Sequence, residues 1–189
     1  MLTTYLNKTD NALWRNAIAI LTFALLTAIG AQITVFTEPV PFTLQVLAVL
    51  LSGLALGARA GAASQIAYCL MIASGMPVAA GGLGGLAVFL RPTAGYLIGF
   101  IAGAWLTGWL AEQGMTRSAW LRWVAGIAGV VPIYLLGSLW LKISLNFSLA
   151  EAITVGVAPF IAFDLLKAVI AAILAESGHK ILARWLGKH

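Results

Sequence analysis

Charge is scarce in this sequence: Asp, Glu, Lys and Arg make up 9% of 189 residues, against about 25% in a soluble domain. Polar side chains are too few to cover a water-soluble globule, which excludes a cytosolic enzyme, a disordered tail, a coiled coil and a nucleic-acid module. Histidine is nearly absent, with only His179 and His189 near the C-terminus, so neither a histidine-based nucleophilic dyad nor a metal cluster can form among the apolar segments. Cysteine occurs once, at Cys69 in an apolar stretch, which excludes an internal disulfide and leaves a small buried hydrophobe. No Gly-rich loop followed by Lys-Ser/Thr is present, so the chain is not expected to hydrolyse ATP itself.

What is abundant is apolar sequence, at 61% of the residues. About 20 uncharged residues suffice for one helical crossing of a bilayer. Uncharged runs of 22, 20, 31, 20 and 19 residues separate Arg15, Glu38, Arg59, Arg91 and Glu112, and then Arg122 from Lys142. A last apolar stretch, Ala152 to Ala175, is interrupted only by Asp164 and Lys167. The roughly ten-residue alternation of a membrane barrel is absent. The expected fold is an all-α integral membrane protein, one domain over 1–189, with six transmembrane helices at 14–36, 41–58, 60–76, 93–112, 119–142 and 153–176.

Orientation follows from the distribution of Lys and Arg. With the N-terminus inside, Lys8, Arg15, Arg59, Arg117, Arg122, Lys180, Arg184 and Lys188 share the cytoplasmic side, and only Arg91 and Lys142 lie opposite. That bias places both termini in the cytoplasm. The net charge of +5 is therefore topological, and no nucleic-acid partner is implied. The first apolar run exceeds a leader's h-region, which argues against cleavage. Most of the seven tryptophans fall near helix ends, as an interfacial belt would place them.

Small residues recur at four-residue spacing: Ala24 and Ala28; Gly53, Gly57 and Gly61; Gly95, Gly99 and Gly103. Such stripes allow close helix packing within the bundle, or offer a face to a partner protein.

The costly residues mark a site. Asp164 and Lys167, three apart on one helical face, each cost about 2.5–3.5 kcal/mol at a helix centre. They can pair with each other, but an ion pair is often no more stable than apolar residues in its place, so a ligand is implied. Arg91 follows a glycine-dense segment that disfavours helix, and irregular backbone at membrane depth lines a cavity or is buried in protein. That loop, with Gly82 and Gly84, and a second outer loop carrying Glu38, Pro39, Pro41, Thr43 and Gln45, describe a pocket open to the outside and lidded by both loops. Arg91 or Lys167 can take a carboxylate, Asp164 can accept from N–H donors, and Tyr96 and Phe42 can cover an apolar body.

Several segments, taken in order, carry a resemblance. Pro41-Phe-Thr-Leu-Gln45, Leu51-Ser-Gly-Leu-Ala-Leu-Gly57, Gly75-Met-Pro-Val78, Arg91-Pro-Thr-Ala-Gly-Tyr96 and Phe163-Asp-Leu-Leu-Lys167 resemble the BioY family, the biotin-specific substrate-binding (S) components of energy-coupling factor (ECF) transporters. Typical members carry Gly-Pro-Thr-Gly-Gly-Tyr where this chain has Arg91-Pro-Thr-Ala-Gly-Tyr96. The resemblance implies a non-enzymatic, multi-pass subunit of the cell membrane that takes biotin from the outer side and needs no cofactor. It further implies a transmembrane coupling protein and two cytoplasmic ATP-binding cassette ATPases as partners, with Ala24 and Ala28 as the docking stripe and Asp164 and Lys167 in the biotin site. Alternatives are an S component for another vitamin and a stand-alone secondary transporter, although no internal repeat of the latter kind is evident.

Overall fold

The computed structural model describes residues 2–35 and 39–185, with side chains over 13–35 and 39–178. Glu38, His179 and His189 therefore lie outside the described side chains. Helix α1, Leu2–Gln32, leads into a two-stranded antiparallel ribbon in which β1, Thr34–Val35, pairs with β2, Phe42–Thr43. Helix α2, Gln45–Ala73, follows, then a 3₁₀ turn at Leu86–Leu90 and α3, Ala94–Leu110, which runs on into a π-helical turn at Ala111–Met115. Helix α4 covers Ala119–Leu145, α5 Leu149–Gly156 and α6 Ile161–Trp185.

The two helices expected at 41–58 and 60–76 are the arms of α2. Gly57 has φ +81° and ψ −177°, a conformation open to glycine and costly for other residues, and the chain reverses there. Residues equidistant from the bend meet: a Cβ on Gly61 would stand 3.0 Å from Gly53 Cα, Gln65 donates to Ser52 Oγ at 3.2 Å, and Gln45 donates to Tyr68 Oη at 2.8 Å. Only antiparallel arms bring these pairs together. Glu112, from the π-turn, accepts from the Ala58 N–H at 2.8 Å and so caps the second arm.

Among the described residues four helical stretches are long and apolar enough to cross a membrane, and α5 with α6 passes the same test only as a pair bent by 52°. With the two arms of α2 counted separately and α5 taken with α6, six helical passes make up the bundle. The first arm of α2, 45–56, rises only about 18 Å at 1.5 Å per residue, less than the roughly 30 Å hydrocarbon core. The Pro- and Gly-rich segments 39–44 and 74–93 adjoin that end, the outer end by the charge count.

The last crossing departs from the continuous helix expected at 153–176. It starts at Leu149, where Ser148 and Glu151 form a reciprocal capping box, and breaks over 157–160. Pro159 explains the break: it lacks an N–H and pushes the residue before it out of the α region. Asp164 consequently stands in the first turn of α6 rather than in the middle of an unbroken helix.

The small-residue stripes close the bundle. A Cβ on Gly99 would lie 2.8 Å from Ile133 Cα and one on Gly103 2.7 Å from Gly129 O, so α3 and α4 touch backbone to backbone. Ala24 and Ala28, expected as a docking stripe for the coupling protein, are 0% and 6% exposed in the chain by itself and stand in the core beside α2. Beside them Thr27 donates to Gln65 Oε1 at 3.2 Å, and Gln65 donates to Ser64 Oγ at 3.0 Å. In lipid, where apolar burial drives little association, such close approach and buried hydrogen bonding hold helices together.

Candidate binding site

The break before α6 and the short arms of α2 leave a cavity of about 620 Å³ beneath the outer loops. Its charged lining residues are Arg91, Asp164 and Lys167; Thr43, Gln45, Tyr96 and Tyr134 contribute polar groups, and Val46, Val88, Leu97, Phe100, Ile133 and Phe160 apolar surface.

Asp164 and Lys167 are 3% and 5% exposed, one helical turn apart. Lys167 Nζ donates to Asp164 Oδ1 at 2.7 Å, and Tyr134 Oη donates to Asp164 Oδ2 at 2.7 Å. Each carboxylate oxygen thus has one fixed donor and spare lone pairs, while Lys167 retains two N–H groups. The ammonium also lies 4.1 Å from the centroid of Phe42, a cation–π contact. Phe42 in turn meets Phe163 edge-on at 4.9 Å and stacks with Phe160 at 6.4 Å, so this aromatic group packs β2 onto the start of α6. Phe42 covers Lys167 but is not among the residues lining the cavity.

Arg91 is arranged differently. It follows the 3₁₀ turn in extended backbone, its side chain is exposed, and it forms no ion pair among the described residues. Its carbonyl accepts from Trp140 Nε1 at 2.9 Å, which ties the loop to α4. Arg91, expected in an outer loop, stands at the cavity's exposed rim, and the buried charges are Asp164 and Lys167.

Tyr96 lies in a notch between α4 and α5. A Cβ on Gly137 would strike its ring, one on Gly156 would strike its hydroxyl, and that hydroxyl donates to Gly156 O at 2.8 Å. Gln45 and Thr43 reach the cavity with groups already engaged: Thr43 donates to Gln45 Oε1 at 3.0 Å, and Gln45 donates to Tyr68, which donates to Val78 O at 3.1 Å. They form a rigid wall that fixes the loop at Val78.

The structure brings Thr43, Gln45, Arg91, Tyr96, Asp164 and Lys167 around one cavity, and leaves Gly82 and Gly84 off its lining. Gly84 packs on the Gly75 and Met76 carbonyls, where any side chain would collide, so its role is local to the loop. Gly81 is the loop glycine that lines the cavity. Tyr134 was not singled out from the sequence. It sits in an apolar helix 30 positions before Asp164, and only its residue type, a buried phenol needing an acceptor, signals a partner. No group of three metal-ligating side chains occurs among the described residues.

A six-helix bundle with a cavity that pairs buried charges beneath Pro- and Gly-rich loops defines a multi-pass membrane protein with a pocket of small-molecule size. The chain belongs to the BioY family, whose sequence profile matches residues 4–184. It is 43% identical to the biotin transporter BioY of Thermotoga maritima over 153 residues, covering 81% of this chain and 89% of that one. The probable biotin transporter BioY of Pyrococcus horikoshii is 42% identical, with 82% and 90% covered, and the biotin transporter BioY of Rhizobium etli 39% identical, with 82% and 87% covered. Among solved structures, the S-component for biotin from an ECF-type ABC transporter superposes with a TM-score of 0.82 at 26% identity, over 90% of this chain and 94% of that one.

Proposed function

We propose that this chain is the biotin-binding S component of an ECF-type vitamin transporter, taking biotin from the outer side of the membrane. The observation that carries the reading is the charge pattern of the cavity: a buried Asp164–Lys167 pair at one pole and, at the rim, Arg91, which forms no ion pair among the described residues. Among the described lining residues two cations and one anion leave one net positive charge, and biotin is a monocarboxylate. Its ureido group offers two N–H donors and one carbonyl acceptor, complementary to a carboxylate with free lone pairs beside an ammonium with free protons. Arg91 then takes the carboxylate, because Lys167 is already held by Asp164. Val88, Leu97, Phe100 and Phe160 flank the apolar chain and thioether ring.

The relatives are named as transporters, and the fold match is to the S component of an ABC-type system. Energy would come from ATP-binding cassette ATPases linked through a transmembrane coupling protein, with the assembly in the plasma membrane. Equilibrium dialysis of the purified protein against labelled biotin, with thiamine and riboflavin as competitors, tests the ligand. Saturable biotin binding resistant to both competitors is the expected result, and displacement by either would favour an S component for that vitamin. Vesicle uptake with and without the coupling protein and ATPases tests the partners; ATP-independent uptake by the chain alone would favour a secondary transporter.

A further inference from the structure

We infer that α4 is the positioning helix of the site, with Tyr134 and Trp140 each orienting one charged pole of the cavity. The inference rests on the biotin-binding reading and extends it to two residues that need not touch the ligand's carboxylate or ureido group themselves.

Tyr134 Oη donates to Asp164 Oδ2 at 2.7 Å, and Lys167 donates to Oδ1 at the same distance. A carboxylate held only by Lys167 can rotate about its side-chain torsions and carry the flexible lysine with it. Held at both oxygens, it has one orientation, and its remaining lone pairs and the remaining ammonium protons keep fixed directions. Such preorganisation raises affinity by removing the cost of ordering these groups when ligand enters. Tyr134 thus serves the buried pole.

Trp140 acts on the other pole. Its indole N–H bonds the Arg91 carbonyl at 2.9 Å, while Gly95, just past Arg91, allows α3 to approach the Trp140 Cβ more closely than any larger residue would permit. Arg91 leaves the 3₁₀ turn at φ −71° and ψ 157°, and no ion pair among the described residues restrains its guanidinium. Anchoring the backbone at Arg91 limits the volume its side chain can sweep. The two donors occupy one helix, 6 residues apart, so α4 sets the spacing between the groups that meet the two ends of the ligand.

The test crosses two variants with two ligands: biotin, and its alcohol analogue in which the carboxylate is replaced by hydroxymethyl. Tyr134→Phe should weaken both ligands by the same factor, about tenfold for a lost hydrogen bond to a charged group. Trp140→Phe should weaken biotin about fivefold and leave the alcohol nearly unchanged, since only the carboxylate pole is loosened. Arg91→Gln should reproduce the Trp140→Phe pattern with a larger effect. A purely structural role would lower both affinities in both variants in step with the melting temperature, and that result would overturn the inference, as would unchanged affinities throughout. If Trp140→Phe does not fold, the equal loss for Tyr134→Phe at unchanged melting temperature still decides the buried pole. Silence of the wild-type protein toward biotin would defeat the functional reading itself, and is visible before any variant is made.

Discussion

Lys167 Nζ and Asp164 Oδ1 stand 2.7 Å apart with both side chains about 5% exposed, in the first two turns of the helix that follows the 52° bend. Removing one member of such a pair leaves an uncompensated buried charge, at a cost of about 3–5 kcal/mol, whereas replacing both with apolar residues is often neutral. Lys167→Met should therefore lower the melting temperature markedly, and Asp164→Leu combined with Lys167→Met should restore most of the loss. Biotin binding should fail in both. Thermal unfolding in detergent checks the first expectation and calorimetry the second; a double variant less stable than the single would show that the pair stabilises the fold on its own account.

The notch that seats Tyr96 gives a steric test. A methyl at position 137 would strike the Tyr96 ring, which lines the cavity and bonds Gly156. Gly137→Ala should displace the ring, weaken biotin binding by about tenfold and cost about 1–3 kcal/mol of stability, the usual range for overpacking. Gly137→Ala with Tyr96→Phe should recover little, because the clash is with the ring rather than the hydroxyl.

At the inner end, Glu112 caps the second arm of α2 where Gly57 turns the chain. Gly57→Ala would combine a positive φ with a collision at Glu112 Oε1, and should reduce the yield of folded protein. Glu112→Ala removes only the cap and should cost about 1 kcal/mol, measured as a lowered melting temperature with biotin affinity intact.

Arg122 and Glu176 pair at 2.7 Å between α4 and α6, with Arg122 also donating to Thr116 O. Glu176→Gln should cost about 1 kcal/mol, since Glu176 is partly exposed, and should leave biotin affinity unchanged because the pair is not among the cavity's lining residues. A large loss of affinity would indicate that the inner end of the bundle is coupled to the cavity.

Much of this architecture is legible in the sequence because bilayer thickness converts the spacing of charges directly into crossings. The cost of charge in lipid likewise picks out Asp164 and Lys167 from composition and spacing. What is not legible depends on tertiary packing. Whether Ala24 and Ala28 face a partner or α2 is a matter of helix rotation, which small-residue spacing leaves open. Pro159 marks the break at 157–160, a signal that the reading of 153–176 as one apolar helix does not use. Tyr134 carries no local mark of its bond to Asp164, and the depth of Arg91 depends on a 3₁₀ turn that lifts it to the rim.

The central claim, that one charged cavity binds biotin through Asp164, Lys167 and Arg91, is tested most directly by calorimetric titration of the purified protein and of Asp164→Asn. The account predicts one biotin per wild-type chain and an affinity at least about tenfold weaker in the variant, the effect of breaking a buried charged contact. Equal affinities for the two proteins would contradict it.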